Sequence, residues 1–308
     1  MNNLKLSIFT PTFNRADFLE ILYISLKEQS NKDFEWIIVD DGSTDRTPEV
    51  VDSWINDSNE FSIKYFYTNN GGKHSAYNFF LDYTNTDWHI CVDSDDALAK
   101  EAIDIIWKDI YKVDNQQSYI GIIYPKKMKE VEQLQWLPDS VKRVNISDIR
   151  LKYGCKIETA IVFRQKAIQN YRFPVFDNEK FLSEEIYYNL LISEGQFLPK
   201  MDLFYLSEYQ ENGITKSVFK LWKQNPVGTE VLLESRYNYI VENIIGVRKF
   251  VEIVKCLVNL STVNMIQKRS FFKLSFKPVC SFFLLPLILL NKGRKKFFFV
   301  KKKQKFLK

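Results

Sequence analysis

The sequence predicts an α/β fold with a mostly parallel central sheet covered by helices on both faces. Short apolar runs of buried-strand type alternate with segments whose apolar residues recur at helical spacing, an order typical of βαβ units. Three of the apolar runs also end in polar clusters. Ligands of such sheets bind beyond the carboxyl ends of the strands, so these clusters are candidate binding loops.

Four strands are predicted in the N-terminal third of the chain, at residues 5–10, 35–39, 62–68 and 88–92. The first intervening helix is predicted from a stripe of Phe18, Leu19, Leu22 and Leu26. The second is predicted to begin at Thr47-Pro48, with Thr47 as its cap and Pro48 in its first turn. Its buried face would comprise Val50, Val51, Trp54 and Ile55. A third helix is predicted through Asn78 and Leu81.

Composition limits the class of protein. With 308 residues and 45% hydrophobic content, the chain can form one large domain or two modest ones. Its four cysteines lie far apart without a CxxC pair, and only two histidines are present, so neither a disulfide framework nor a zinc site is predicted. A reducing compartment is therefore expected. The N-terminus also lacks the basic start and long apolar core of a signal peptide.

The net charge of +5 conceals two oppositely charged parts. Residues 253–308 carry 14 Lys or Arg and no acid, whereas the preceding chain carries 29 bases against 38 acids, a balance of −9. The acidic body argues against nucleic acid as a partner. We expect the two parts to have different partners.

The strand at Trp88–Val92 runs directly into Asp93-Ser94-Asp95-Asp96. Side chains alternate along an extended segment, so Asp93 and Asp95 would point to the same side and could together hold a divalent ion. Hard carboxylate oxygens favour Mg²⁺ or Mn²⁺ over zinc. The alternative is a solvated turn before a helix whose start favours negative charge.

Four motifs occur in a fixed order within about a hundred residues: Pro11-Thr-Phe-Asn-Arg15, Val39-Asp-Asp-Gly-Ser-Thr-Asp45, Asn70-Gly-Gly-Lys-His-Ser-Ala-Tyr-Asn78 and Val92-Asp-Ser-Asp-Asp96. Together they resemble the motifs of family-2 glycosyltransferases with the GT-A fold, a Rossmann-like architecture. The similarity extends over roughly residues 4 to 230. It includes 208–215, which resembles a loop that closes over the donor.

The resemblance implies that the nucleotide sugar is bound by Pro11, Thr12, Asn14, Arg15, Asp41, Lys73, Asp93, Ser94 and Asp96. The Pro11 backbone and Asp41 would meet the base, taken as uracil, whose imide N–H suits a carboxylate acceptor. Asp93 would lie near the ribose and Lys73 would contact the donor as a point charge. Asp95 would ligate Mn²⁺ or Mg²⁺, and Asp96 would orient the sugar or support the metal ligand.

Some of these residue types also have purely structural explanations. Asp40, Gly42 and Ser43 are typical turn and capping residues. Gly71-Gly72 would serve equally as a simple turn, and His74 is expected to be structural.

An inverting transfer also needs a carboxylate base on the acceptor side of the sugar. The resemblance places it in Ser183-Glu184-Glu185, where Ser183 would cap a helix and the acids would lie in its first turn. This run departs from the usual Glu-Asp pair. Alignment favours Glu184, Glu185 stays open as an alternative, and a capped, solvated helix end is the structural explanation.

The C-terminal part changes character. Helices are predicted over 227–254, and the apolar run 282–290 is too short to span a membrane and contains Pro286. The basic and aromatic residues from 268 onward suit an anionic membrane surface, and the alternative is a core helix with a disordered basic end. We expect a helical, membrane-associating C-terminal extension.

The sequence thus predicts a metal-dependent inverting glycosyltransferase, a hexosyl- or N-acetylhexosaminyltransferase, with a nucleotide donor, taken as UDP-linked. The expected acceptor is a glycan or lipid-linked glycan in capsule or other cell-surface polysaccharide synthesis, at the cytoplasmic face of the cell membrane. Residues 1–105 would form the nucleotide-sugar-binding half, 106–225 the acceptor-binding half and 226–308 the extension. A sugar-phosphate nucleotidyltransferase and a catalytically silent nucleotide-binding scaffold are the alternatives.

Overall fold

The computed structural model describes residues 5–57, 59–129, 134–208 and 214–266. Its strands are β1 Leu6–Thr12, β2 Glu35–Asp40, β3 Ser62–Tyr67, β4 Trp88–Cys91, β5 Ala97–Leu98, β6 Tyr119–Pro125, β7 Lys127–Met128, β8 Thr159–Arg164, β9 Gln196–Pro199 and β10 Tyr205–Ser207. Its helices are α1 Ala16–Lys27, α2 Thr47–Ile55, α3 Lys73–Tyr83, α4 Ala102–Val113, α5 Ile146–Leu151, α6 Gln165–Ile168, α7 Glu185–Leu190, α8 Ile214–Gln224, α9 Pro226–Asn243 and α10 Gly246–Ile266. The predicted α/β alternation is confirmed.

The main sheet has seven strands in the order β3-β2-β1-β4-β8-β6-β9. The first four are mutually parallel, and β8 runs antiparallel to both of its neighbours, β4 and β6. Two reversals restore the direction, so β6 runs parallel to β4. The carboxyl ends of β1, β2, β3, β4 and β6 therefore lie at the same edge of the sheet.

The interior of the sheet is apolar on both faces, as expected for strands covered by helices. Trp36 of β2 and Trp88 of β4 are fully buried, and Tyr23 of α1 stacks on Trp54 of α2 with ring centroids 4.4 Å apart. These contacts fix α1 and α2 on the sheet. As a result, the loops that precede both helices have fixed positions at the carboxyl edge.

A second, smaller sheet consists of three short strands in the order β5-β10-β7. Strand β10 pairs antiparallel with β5 and parallel with β7. This pairing brings Tyr205, from far along the sequence, next to Leu98. The acidic turn at residues 93–96, which precedes β5, therefore lies close to β10.

Helix α2 differs from its prediction in two details. Thr47 is the first helical residue rather than the cap, and its hydroxyl donates to Asp45 Oδ1 at 2.6 Å. Ile55, expected on the buried face, is exposed at the last position of the helix. The helix ends there, so no further turn covers that side chain.

The chain divides into two compact units. The first contains the residues up to Val175 and those from Leu190 as far as 211, and includes both sheets. The second contains Phe176–Asn189 and the chain beyond 211, with helices α8, α9 and α10. The functional division predicted at 105 and 225 stays a prediction.

Within the described residues, no helix is long and apolar enough to cross a membrane. The basic and aromatic segment from 268 to 308 lies outside those residues, as does most of the loop predicted at 208–215.

Candidate active site

The candidate site begins where β1 and β2 end, at the carboxyl edge of the main sheet. Pro11 and Thr12 are the last buried residues of β1, and Thr12 Oγ1 has no hydrogen-bond partner within the described structure. Asp40 closes the turn after β2, because its carboxylate accepts from the Ser43 amide at 2.7 Å and the Tyr65 hydroxyl at 2.6 Å. Asp40 therefore has the structural role considered for it.

The loops after β1 and β2 are bound to each other. The Asn14 amide donates to Ser43 Oγ and the Thr44 amide donates to Asn14 Oδ1, both at 2.8 Å. The Ala16 amide donates to Asp45 Oδ2 at 3.2 Å. Asn14 adopts a positive φ of 53°, which asparagine tolerates better than most residues. Its side chain thus joins the two loops, and its predicted contact with the donor stays a prediction.

Asp41 organises the glycine turn that precedes α3. Its two carboxylate oxygens accept the amides of Gly71 and Gly72, each at 2.7 Å. Gly72 has φ 91°, and a Cβ at Gly71 would lie 2.7 Å from Ser75 Oγ, so both positions favour glycine. The buried Asp41 therefore holds this turn in place.

The acidic turn after β4 is held by two lysines. Asp93 Oδ1 lies 2.6 Å from Lys73 Nζ, and Asp93 Oδ2 lies 3.2 Å from Lys126 Nζ. Lys126 Nζ is also 3.2 Å from Asp96 Oδ2 and lies 4.0 Å above the Tyr205 ring. The Tyr205 hydroxyl accepts the Asp93 amide at 2.9 Å. One buried ammonium group therefore connects two carboxylates of the motif.

The charged groups of this turn shift one another's pKa values. Burial alone would raise the pKa of Asp93, but the Lys73 and Lys126 charges outweigh it and hold that pKa well below its usual range. Burial likewise opposes the charged form of Lys126, yet Asp93 and Asp96 raise its pKa. For Asp96 burial prevails over Lys126, and the pKa is raised. Asp93 and Lys126 therefore form a stable ion pair, while Asp96 is easier to protonate.

Asp95 has a different environment. Its Oδ2 lies 3.4 Å from an Arg15 guanidinium nitrogen, at the long end of a hydrogen bond, and Arg15 also lies 4.9 Å above the Phe18 ring. Ser94, between Asp93 and Asp95 in the sequence, is buried. Asp95 is therefore less firmly held than Asp93.

A divalent metal would fit this arrangement in one way. Among the described residues, no three His, Cys, Asp or Glu side chains converge as a ligand group. Mg²⁺ is often held by one or two carboxylates together with substrate phosphates and water, and Asp95 offers one such carboxylate. Asp93, expected beside it as a possible ligand, is instead ion-paired through both oxygens.

Both histidines are buried, and the structural role expected for His74 stays a prediction. His89 is fully buried in β4 and lies 2.6 Å from the Tyr77 hydroxyl. Burial, opposed by a hydrogen bond with Gln165, lowers the pKa of His89 to about 3. Burial also lowers the pKa of His74. Both rings are therefore neutral near pH 7.

The predicted base residues lie in the second unit. Ser183 Oγ accepts the Glu185 amide at 3.4 Å. Helix α7 begins at Glu185, so Glu184 precedes the helix instead of lying in its first turn as predicted. Arg236 binds both oxygens of Glu185, with Nε 2.7 Å from Oε1 and a terminal nitrogen on Oε2. Burial opposes the charge of Arg236, but Glu185 raises its pKa. Glu184 accepts the Tyr188 hydroxyl at 3.2 Å.

Sequence reasoning missed Lys126 and Tyr205. Lys126 directly follows Tyr119–Pro125, an apolar run that ends in a charge in the same way as the run before Asp93. That signal was available in the sequence. Tyr205 carries no such signal, because only the β5-β10 pairing brings it to the acidic turn.

Comparison with known proteins identifies relatives of this architecture. A family model described as glycosyl transferase family 2 matches residues 7–172, more than half of the chain. The poly(ribitol-phosphate) β-N-acetylglucosaminyltransferase TarS of Staphylococcus aureus is 28% identical over 187 residues, which are 59% of this chain and 30% of TarS. A GalNAc(5)-diNAcBac-PP-undecaprenol β-1,3-glucosyltransferase of Campylobacter jejuni is 38% identical over 101 residues, 32% of each chain. The chain thus spans about a third of the length of these two relatives.

Solved structures show the same fold. TarS 1–349 in complex with UDP-GlcNAc superposes with a TM-score of 0.56 at 18% identity, covering 86% of this chain and 83% of that one. A mannosyltransferase from Pyrobaculum calidifontis in complex with GDP-Man and Mn²⁺ gives 0.53 at 15% identity, covering 96% and 85%. The predicted GT-A fold is confirmed.

Proposed function

The chain belongs to glycosyl transferase family 2, and from this premise we propose that it moves a hexosyl or N-acetylhexosaminyl group from a UDP-sugar to an acceptor hydroxyl with inversion. The observation that supports the proposal is that two carboxylates of the acidic motif, Asp93 and Asp95, have different contacts. Asp93 is fixed by two lysines, whereas Asp95 has one long contact with Arg15. The motif is thus rigid at one carboxylate and available at another.

The nucleoside half of the donor would bind at the ends of β1 and β2. Asp41, whose amide donates to the Thr12 carbonyl at 2.8 Å, would accept the uracil imide N–H, and the Thr12 hydroxyl is a buried polar group that a ligand could satisfy. Asp93 would face the ribose. The TarS complex with UDP-GlcNAc supports a uridine donor by analogy.

The diphosphate would lie over the acidic turn. Asp95 would hold Mn²⁺ or Mg²⁺ together with the phosphate oxygens, and the bound ion would supply positive charge to the departing diphosphate. Lys73 and Arg15, both partly exposed, bring two further cations to the same turn. Their charges would help to bind the diphosphate and orient it.

Glu184 is the better candidate for the base that removes the acceptor proton. Both oxygens of Glu185 are bound by the Arg236 guanidinium, which fixes that carboxylate in a structural ion pair. Glu184 accepts the Tyr188 hydroxyl at 3.2 Å.

We further propose a glycan or lipid-linked glycan as acceptor, at the cytoplasmic face of the cell membrane, as in capsule or cell-surface polysaccharide synthesis. The support is twofold. First, TarS is named for poly(ribitol-phosphate), and the Campylobacter jejuni enzyme is named for an undecaprenol-linked glycan. Second, residues 253–308 carry 14 bases and no acid. That charge suits an anionic membrane surface.

The test is a donor screen with the full chain. UDP-GlcNAc, UDP-glucose, UDP-galactose and GDP-mannose would each be incubated with Mn²⁺, and release of nucleoside diphosphate and sugar transfer to lipid-linked acceptors would be measured. We expect release from at least one UDP-sugar and loss of release with EDTA. Pyrophosphate formed from a nucleoside triphosphate and a sugar phosphate would indicate a nucleotidyltransferase instead. Binding of UDP without release or transfer would indicate a silent scaffold.

A further inference from the structure

Helices α9 and α10 of the second unit form a helical hairpin joined by Ile244 and Ile245. They bury apolar side chains against each other and the rest of the unit, among them Leu232, Leu233, Ile240, Cys256, Leu257 and Leu260. The hairpin therefore has an ordinary apolar core along most of its length.

The connecting end of this hairpin is apolar but uncovered. Ile245 is 86% exposed, Val247 81%, Phe250 69% and Val251 42%. We call these four residues the hairpin tip. A Cβ built at Gly246, within the tip, meets no atom within 4 Å. Single exposed apolar residues are normal on protein surfaces, but four adjacent ones indicate an interaction site.

The tip continues a stripe that is buried farther along the same helix. Phe250 and Leu257 lie one heptad apart and so on the same face of α10, yet Leu257 is buried and Phe250 is exposed. The first two turns of α10 thus present an apolar face without a partner among the described residues.

Charge indicates what would cover this face. Arg248 and Lys249 lie between the tip residues, and Glu252 on the next turn is paired with Lys255 at 2.6 Å. Glu242 is the other nearby acid. Residues 253–308 contain no acid, so they offer no opposite charge to Arg248 or Lys249, whereas an anionic surface does.

We propose that the hairpin tip inserts into the interface of an anionic phospholipid bilayer. Exposed aliphatic and aromatic side chains flanked by Arg and Lys suit this interface, where binding combines apolar burial with attraction to anionic lipid. The 21 residues of α10 span about 30 Å, so the tip lies at the opposite end of this helix from Ile266, the last described residue. The inference does not depend on the proposed transfer reaction.

The test compares vesicle binding of full-length proteins. One variant carries Ile245→Ser, Val247→Ser and Phe250→Ser. The control carries Ile21→Ser and Ile24→Ser, which remove two half-exposed apolar side chains from α1. Binding to phosphatidylcholine vesicles with 30% phosphatidylglycerol would be measured by sedimentation at 0.1 M and 0.5 M salt. At 0.5 M salt the attraction of the basic tail is strongly screened.

We expect the tip variant to bind at least tenfold more weakly than the wild type at 0.5 M salt, and the control to bind like the wild type. Equal binding of the tip variant would overturn the proposal, as would a wild type that binds no vesicles. Light scattering supplies a second arm: a wild-type dimer that becomes a monomer in the tip variant would assign the tip to a second copy of the chain instead.

A direct measurement does not rely on loss of binding. Phe250→Trp would place a fluorophore at the tip, and Ile24→Trp would place one on α1 as the matched control. Brominated lipids should quench the added fluorescence of the first variant and leave that of the second unchanged. Equal quenching, or none in either, would contradict insertion of the tip.

Discussion

Lys126 Nζ lies 3.2 Å from Asp93 Oδ2, although 33 residues separate the two in sequence. The contact exists because β6 runs parallel to β4 and ends at the same edge of the sheet. The lysine is buried, and its charge also reaches Asp96 at 3.2 Å. The acidic motif is therefore a balanced ion network, and its behaviour depends on a residue outside the motif.

Replacing Lys126 should damage both stability and activity. Lys126→Met leaves Asp93 and Asp96 without their shared cation, and removing one partner of a buried ion pair typically costs about 3–5 kcal/mol. Urea denaturation and sugar-release assays would measure the two effects. Lys127→Met is the matched control, because Lys127 is exposed on the next position. A loss in unfolding free energy no larger than that of the control would contradict the network.

Replacing Asp95 should separate activity from stability. Asp95→Asn keeps the size of the side chain but removes the charge that would hold the metal, so turnover should fall by roughly 10²-fold or more. The unfolding free energy should change by less than about 0.5 kcal/mol. Isothermal titration with MnCl₂ and UDP would check the cause. Asp139→Asn, at an exposed loop position, is the control. Unchanged Mn²⁺-dependent UDP binding in Asp95→Asn would refute the assigned role.

The two neighbouring glutamates should behave differently. Glu184→Gln should lower kcat by roughly 10²–10⁴-fold with little change in stability or donor affinity, as expected for loss of a general base. Glu185→Gln should instead lower the unfolding free energy by about 3 kcal/mol, because it leaves the buried Arg236 charge unpaired. Steady-state kinetics and chemical denaturation of both variants would decide. The reverse pattern would assign the base to Glu185.

Stability should depend on pH through His89. Its pKa is about 3 in the folded protein because the ring is buried, whereas the unfolded chain binds a proton near pH 6.5. The unfolded state thus binds more protons between these values. Stability should be full above about pH 6.5 and fall toward pH 3, by up to about 1.4 kcal/mol per pH unit.

Urea denaturation at pH 7, 6 and 5 would test this dependence. His89→Gln should reduce the slope of unfolding free energy against pH by the equivalent of up to one bound proton, about 1.4 kcal/mol per pH unit. His74 remains in that variant and contributes in the same direction, since burial lowers its pKa too. The difference between the two slopes therefore measures His89 alone. Identical slopes would show that His89 does not cause the loss.

The structure brings together those predicted site residues that follow predicted strands, and their roles stay predictions. The loops after β1, β2 and β4 were placed together from the parallel order alone, and Asn14 with Ser43 shows that two of them are in contact. The contacts that each side chain makes there could not be predicted from the order of the strands. Asp93 and Asp95, expected to share an ion because of their spacing, have different partners, which come from α3, the position after β6 and the loop before α1.

The sequence by itself determined the alternation of strands and helices, the edge of the sheet that carries the polar loops, and the motifs that mark the family. Periodicity and chain order suffice for these features because they depend on neighbours within a few residues. Only the tertiary structure decided that Lys126 neutralises Asp93 and that Arg236 occupies Glu185, across 33 and 51 residues. Such pairings depend on which strands and helices become neighbours, and this depends on packing over the whole unit.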